Sequence, residues 1–305
     1  MKRLTLTDQK GLLYSLGPFY EPRLRIESGE TVLVETEDAF SGQIRSPKNR
    51  RDMTAIPYSN PVCGPIYVEG AEKGDTLAVE IKEIRPTRGQ GATRIPSWWW
   101  YLCEPAKNAY RDFLSPNIPH GTRVCPIRDG KVFFDEKHTL PYEPMIGTIG
   151  TAPEVESISS ERPGPHGGNM DLPDITCGNT LYLPINVKGA YLYMGDAHAT
   201  QGDAELCGTA IEMPAETEVI VRIIKGKRID WPRIESEDWI AAVASSGTGI
   251  PLEEAIRMAF IELIRWLESD HGFDRWDAYQ LCTQVAKVRL GNPWTIAAKF
   301  PKRYL

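Results

Sequence analysis

The sequence predicts a mainly β protein, a sandwich or barrel that ends in a small α+β portion. Three observations carry this. First, a glycine, an acid or amide and a threonine precede an alternating apolar run three times: Gly29-Glu30-Thr31, Gly74-Asp75-Thr76 and Gly178-Asn179-Thr180. Each reads as a tight turn feeding a strand. Second, 26 glycines and 24 prolines cut the chain into short runs, which favours antiparallel sandwiches or barrels over a parallel α/β sheet. Third, the period changes to that of a helix only after residue 250.

Taken in order, residues 1–250 form the β-rich body. Strands are predicted after each of the three turns, and an apolar run extends from Leu181 to Met194. Between them lies an excursion, residues 85–123, with the cluster Trp98-Trp99-Trp100-Tyr101. It reads either as a connection anchored by its indoles or as an aromatic wall over a pocket or subunit contact. Glycine and proline thicken again at 147–168, a loop composition. In the second portion, 251–305, Leu252, Ile256, Ala259, Leu263, Ile264 and Leu267 recur at helical spacing, with Glu253, Glu254, Arg257, Glu262, Arg265 and Glu268 around the rest of the helix. Thr248 or Gly249 is the expected cap, Pro251 suits the first turn and Gly272 the stop. A second helix is predicted from Asp274 or Arg275 to Leu290, ended by Gly291, and a closing strand from Trp294 to Phe300.

Composition limits the function. A net charge of −6 and a pI near 5.5 argue against nucleic acid or an anionic membrane as partner. No run approaches the roughly 18 apolar residues of a spanning helix, and the first ten residues lack a signal-peptide core. The six cysteines form no C-x-x-C pair, so they read as reduced, mostly buried thiols, and a cytoplasmic protein is the expectation.

The densest chemistry lies between Gly195 and Gly208, where Asp196, His198, Gln201, Asp203, Glu205 and Cys207 are interleaved with Gly and Ala. Asp196 and His198 are two apart and share a side of an extended backbone. Such a set between apolar strands is costly unless it serves a ligand, a metal or proton transfer. Glu205 shares its side with Asp203 unless the chain reverses at Gly202. Two further stretches stand out: His166-Gly167-Gly168-Asn169-Met170-Asp171, whose Asn169 offers a donor and an acceptor, and the acidic Glu35-Thr36-Glu37-Asp38. Each also reads as a capped or solvated turn. No Gly-x-Ser-x-Gly elbow or phosphate-binding glycine loop is present. Cys207 lacks a lysine partner in a recognisable motif and reads as a buried structural thiol.

These residues resemble a known family. Met194 to Met213, including Asp196, His198, Gln201, Glu205 and Cys207, resembles the signature of the acetamidase/formamidase family. His166 to Asp171 with Leu181 to Pro184 is similar to its second motif, and Glu37 to Phe40, Asn60-Pro61 and Gly64 to Gly70 to its N-terminal ones. One departure is Ala204, where the family pattern reads Gly. The resemblance implies hydrolysis of short aliphatic amides to a carboxylate and ammonia, a jelly-roll-like sandwich, a homo-oligomer (dimer or higher), and a bound divalent metal, zinc first and calcium as the alternative. On that basis Asp38, Asp171, Asp196 and His198 are the candidate ligands. Glu205 is the general base, and Asn169 and Gln201 orient the amide. The rivals are a metal-free amidase using Cys207 and a non-catalytic sandwich that binds small ligands at Trp98–Tyr101.

Overall fold

The computed structural model describes residues 1–8, 11–95, 121–247 and 251–305; the Trp98–Tyr101 cluster and the proposed caps Thr248 and Gly249 lie outside them. The three turns open strands as predicted: Thr31–Thr36, Thr76–Pro86 and Thr180–Pro184. Their glycines have φ of +93°, +93° and +86°, the left-handed region that a Cβ disfavours. All three strands belong to one sheet, in the order Lys2–Leu4, Thr31–Thr36, Ala215–Ile224, Thr76–Pro86, Thr180–Pro184, Arg233–Glu235, Trp239–Ser245, Thr295–Pro301, Lys287–Leu290. A second sheet is built around Leu192–His198, which pairs antiparallel with Met145–Gly150, Val62–Val68 and Glu212–Met213. One apolar core takes Val32, Val34, Val79, Leu181 and Val221 from the first sheet and Cys63, Ile66, Ile149, Leu192 and Met194 from the second. Burial of these β-branched and aliphatic side chains is the main force holding the sheets together.

The helical end covers the far side of the first sheet. In Trp239–Ser245, Ala241 and Val243 face the main core, while Ile240, Ala242 and Ala244 face the helix Leu252–His271. Thr295–Pro301 divides likewise, with Ala297 on one side and Ile296, Ala298 and Phe300 on the other. This is the two-residue alternation of a strand used on both faces. Gly272, at φ +71°, ends the helix with its N–H on Leu267 O.

One expectation is corrected here. The second helix covers only Arg275–Val285; Ala286 is extended, and Lys287–Leu290 leaves to pair with Thr295–Pro301 as an edge strand. Lys-Val-Arg-Leu alternates, so pairing satisfies its backbone where one more helical turn would have left the sheet edge open. Among the charged residues around the rest of the first helix, Glu262 is turned inward. It is buried, 2.7 Å from Arg233 Nη2, and that guanidinium lies over the Trp266 ring.

Candidate active site

Leu192–His198 is buried along its whole length and carries Asp196 and His198. The two acid and imidazole positions therefore sit on the strand itself, not on the turn after it. Asp196 adopts φ +57°, and the ladder with Met145–Gly150 is interrupted there: Ile146 pairs with Ala197 and Thr148 with Gly195, but Gly147 and Asp196 do not pair. The freed Gly147 carbonyl accepts from the N–H groups of Met170 and Asp171, which fixes Asp171, also left-handed at φ +47°. Gly147 is required by space: a Cβ there would stand 2.4 Å from Asp171 Oδ1 and 2.7 Å from Asp196 Oδ2.

Around His198 two groups of potential ligands gather, Asp171–Asp196–His198 and His198–Glu205–Glu212, each with its ligating atoms within 4.8 Å of one another. Every member is buried. Glu205 arrives because the loop after His198 does reverse, through left-handed Ala204 (φ +70°) and Glu205 (φ +43°) rather than at Gly202. Glu212 was not singled out from sequence. Its signal was present, an acid in an alternating apolar segment, and it lies directly opposite His198 in the ladder.

Each of four side chains has one polar atom held and the other bare. Asp171 Oδ2 accepts from Asn169 Nδ2 (2.8 Å) and Asn292 Nδ2 (3.1 Å). Asp196 Oδ2 accepts from Asn60 Nδ2 (2.9 Å), and Glu212 Oε1 from the Ala210 N–H (2.9 Å). His198 Nδ1 meets Gln201 Oε1 at 2.8 Å. Gln201 Nε2 donates to Asp171 O at 2.6 Å, so its oxygen must face the ring and His198 Nδ1 must carry a proton. The other atoms, Asp171 Oδ1, Asp196 Oδ1, His198 Nε2 and Glu212 Oε2, are buried with no hydrogen-bond partner. His198 Nε2 lies 3.3 Å from Asp196 Oδ1 and 3.1 Å from Glu212 Oε2.

Charge follows the same layout. Burial raises the Asp171 carboxyl to about 7, with the Asp196 charge adding to it, and raises Glu212 to about 8. Burial, then Asp171, pushes Glu205 well above its ordinary range. For His198, burial favours the neutral ring, but Glu212 and Asp196 outweigh it and the net shift is upward. Asp196, despite burial, is held low by His198. Four carboxyl groups around one imidazole are short of positive charge, and bare oxygen and nitrogen atoms of this kind suit a cation.

The other predicted residues fall differently. Asp38 is not brought to this group. It is committed elsewhere, Oδ1 accepting from Phe40 N and Gly42 N and Oδ2 from Arg88 at 2.9 Å, and burial with the neighbouring Glu37 raises it to about 6. Asn169 lines the cavity, yet both ends of its carboxamide are engaged inside the protein, the oxygen with Thr148 Oγ1 (2.6 Å) and Asn60 Nδ2 (3.0 Å). Gln201 is likewise taken up by His198 and the backbone. Cys207 is exposed, contrary to the sequence reading, because the loop that carries Glu205 inward turns its neighbour out. It lines a second cavity of about 900 Å³ with Thr93, Phe134 and Leu140. The acid–imidazole group opens on a cavity of about 740 Å³, whose wall includes Asn60, Arg94, His166, Asp171, Asp196, Glu205 and Glu212. Among the described residues no helix is long and apolar enough to cross a membrane.

Fold and site together define a β-rich protein with a buried acid–imidazole centre beside a cavity, whose groups could hold a metal ion. The chain belongs to the acetamidase/formamidase family, which its residues 17–162 and 159–292 match. It is 42% identical to an acetamidase of Yersinia enterocolitica, whose crystal structure superposes with a TM-score of 0.91 over 99% of this chain and 92% of that one. A predicted acetamidase/formamidase of Thermoanaerobacter tengcongensis is 30% identical, with a TM-score of 0.89 over 100% and 96% of the two chains. A formamidase of Methylophilus methylotrophus is 27% identical across 66% of this chain, which spans 61% of that protein's length.

Proposed function

We propose that the chain hydrolyses short aliphatic amides, formamide or acetamide, to the carboxylate and ammonia, with a divalent metal held by Asp171, Asp196, His198 and Glu212. The observation that carries this is that Asp171, Asp196, His198 and Glu212 each leave one buried atom without a hydrogen-bond partner, in two groups that share His198: Asp171 and Asp196 with it in one, Glu212 and Glu205 with it in the other. An imidazole nitrogen among the ligands favours zinc over calcium, which takes oxygen ligands. A divalent ion bound there supplies Lewis acidity, polarising the amide carbonyl and making water easier to deprotonate.

The chain's own residues do the rest. Gln201 fixes the tautomer of His198; Asn60, Asn169 and Asn292 hold the carboxylates, a positioning task in place of the substrate contact expected for Asn169 and Gln201. Glu205, on the same cavity wall, takes the proton from the attacking water and returns it to the departing nitrogen. Burial and then the neighbouring Asp171 raise its carboxyl well above the ordinary range, which makes the ionised group a stronger proton acceptor. The same reading includes a cytoplasmic protein, from cysteines that form no C-x-x-C pair in the sequence, and a homo-oligomer, from the family resemblance. Purified protein incubated with formamide and with acetamide should release ammonia; no release from either overturns the amidase reading.

A further inference from the structure

His166 takes no part in the arrangement above, although it lines the same cavity as Asp171, Asp196, Glu205 and Glu212. It is 2% exposed, and both ring nitrogens are buried without a hydrogen-bond partner. The ring is held in place. The His166 carbonyl accepts from Thr151 N–H, and glycines bound the ring, since a Cβ at Gly164 would lie 3.1 Å from Nδ1 and one at Gly168 2.9 Å from Nε2. Among the described residues no carboxylate forms an ion pair with it, and burial lowers its pKa to about 4, so at neutral pH the ring is uncharged and carries one N–H. A fixed, neutral donor without a partner is out of place in a core but suits a cavity wall where negative charge develops on a substrate oxygen.

We propose that His166 touches the substrate, its ring N–H donating to the acyl oxygen of the amide as that oxygen gains charge. This rests on the amidase reading. No proton is transferred: the N–H stays on the ring, and the bond shortens as water adds to the carbonyl carbon. His166 therefore differs from Glu205, which moves a proton, and from His198, which offers Nε2 to the acid cluster.

The test is acetamide hydrolysis by the metal-loaded protein and its His166→Ala and His166→Asn variants, with kcat, KM, metal content and thermal midpoint measured for each. Removing a preorganised donor should lower kcat by about 10²–10³-fold in His166→Ala, with KM changed only a few-fold and metal content unchanged. His166→Asn, whose amide can still donate, should recover at least about tenfold of that loss. The proposal is overturned if folded, metal-loaded His166→Ala turns over within about threefold of wild type, if the Asn variant is no better than Ala, or if metal is lost. It is also overturned if neither variant folds, which would make the ring a core side chain. A wild-type protein inactive on short amides removes the amidase reading and this inference together; an active wild type beside an active Ala variant removes only this inference.

Discussion

At the scale of single residues, Glu205 and His166 are the most informative. Glu205→Gln keeps shape and one acceptor oxygen but takes no proton near neutral pH. As the base, it should cost roughly 10²–10⁴-fold in turnover with metal content intact. Loss of metal in step with the rate would make Glu205 a ligand instead. His166 also links stability to pH. Its folded pKa of about 4 lies below the ordinary 6.5, so between these values the unfolded chain binds the proton more readily. The stabilising effect of keeping the ring neutral is complete above pH 6.5 and is lost as pH falls toward 4. At pH 5 roughly 2 kcal/mol should be gone, at about 1.4 kcal/mol per unit. Urea unfolding at pH 7 and pH 5 should show this loss in wild type and a smaller one in His166→Asn; equal losses would contradict it. Asp196, His198 and Glu205 stood out in the sequence because acids and an imidazole among apolar strands are visible locally, whereas Asp171, which also reads as a turn cap, and the roles of all four came from the family resemblance. It misplaced Asp38, whose binding to Arg88 depends on a contact 50 residues away in sequence. Ala204 adopts a left-handed conformation at some backbone strain, one that the Gly implied there by the resemblance would take freely.

Elements supply the geometry that no single residue shows. The interruption between Met145–Gly150 and Leu192–His198 lets two acids with left-handed backbones face each other across Gly147. Gly147→Ala should drive Asp171 Oδ1 and Asp196 Oδ2 apart and weaken metal affinity about 10–100-fold, as measured by chelator competition, while the sheet still forms. Unchanged affinity would show that the carboxylates yield without consequence. Arg233 and Glu262 join a strand of the first sheet to the helix Leu252–His271. Arg233→Ala strands a buried carboxyl whose pKa burial already raises, and should destabilise by about 3–5 kcal/mol. Replacing both partners, Arg233→Met with Glu262→Leu, should cost far less; equal costs would show that packing, not charge, is at stake. The three turns and the first helix were legible because their signals are local. The edge strand Lys287–Leu290 was not, because its helical and strand patterns overlap and its partner, Thr295–Pro301, decided between them.

The whole molecule places these pieces around one buried centre. Both sheets share a core, and the acid–imidazole group lies at the cavity end of the second, so the body carries the energetic cost of gathering four buried acids. A ligand that binds only the folded state should raise its stability, and metal removal should lower the thermal midpoint. The central claim is that this centre is a metal site on which amide hydrolysis depends. Its most direct measurement is ammonia release from acetamide against metal content, as the protein is stripped with a chelator and resupplied with zinc, beside His198→Ala. The account predicts that activity falls with the metal, returns with zinc, and is absent in a folded His198→Ala protein that binds no metal. A metal-free protein that hydrolyses acetamide at the full rate would contradict it.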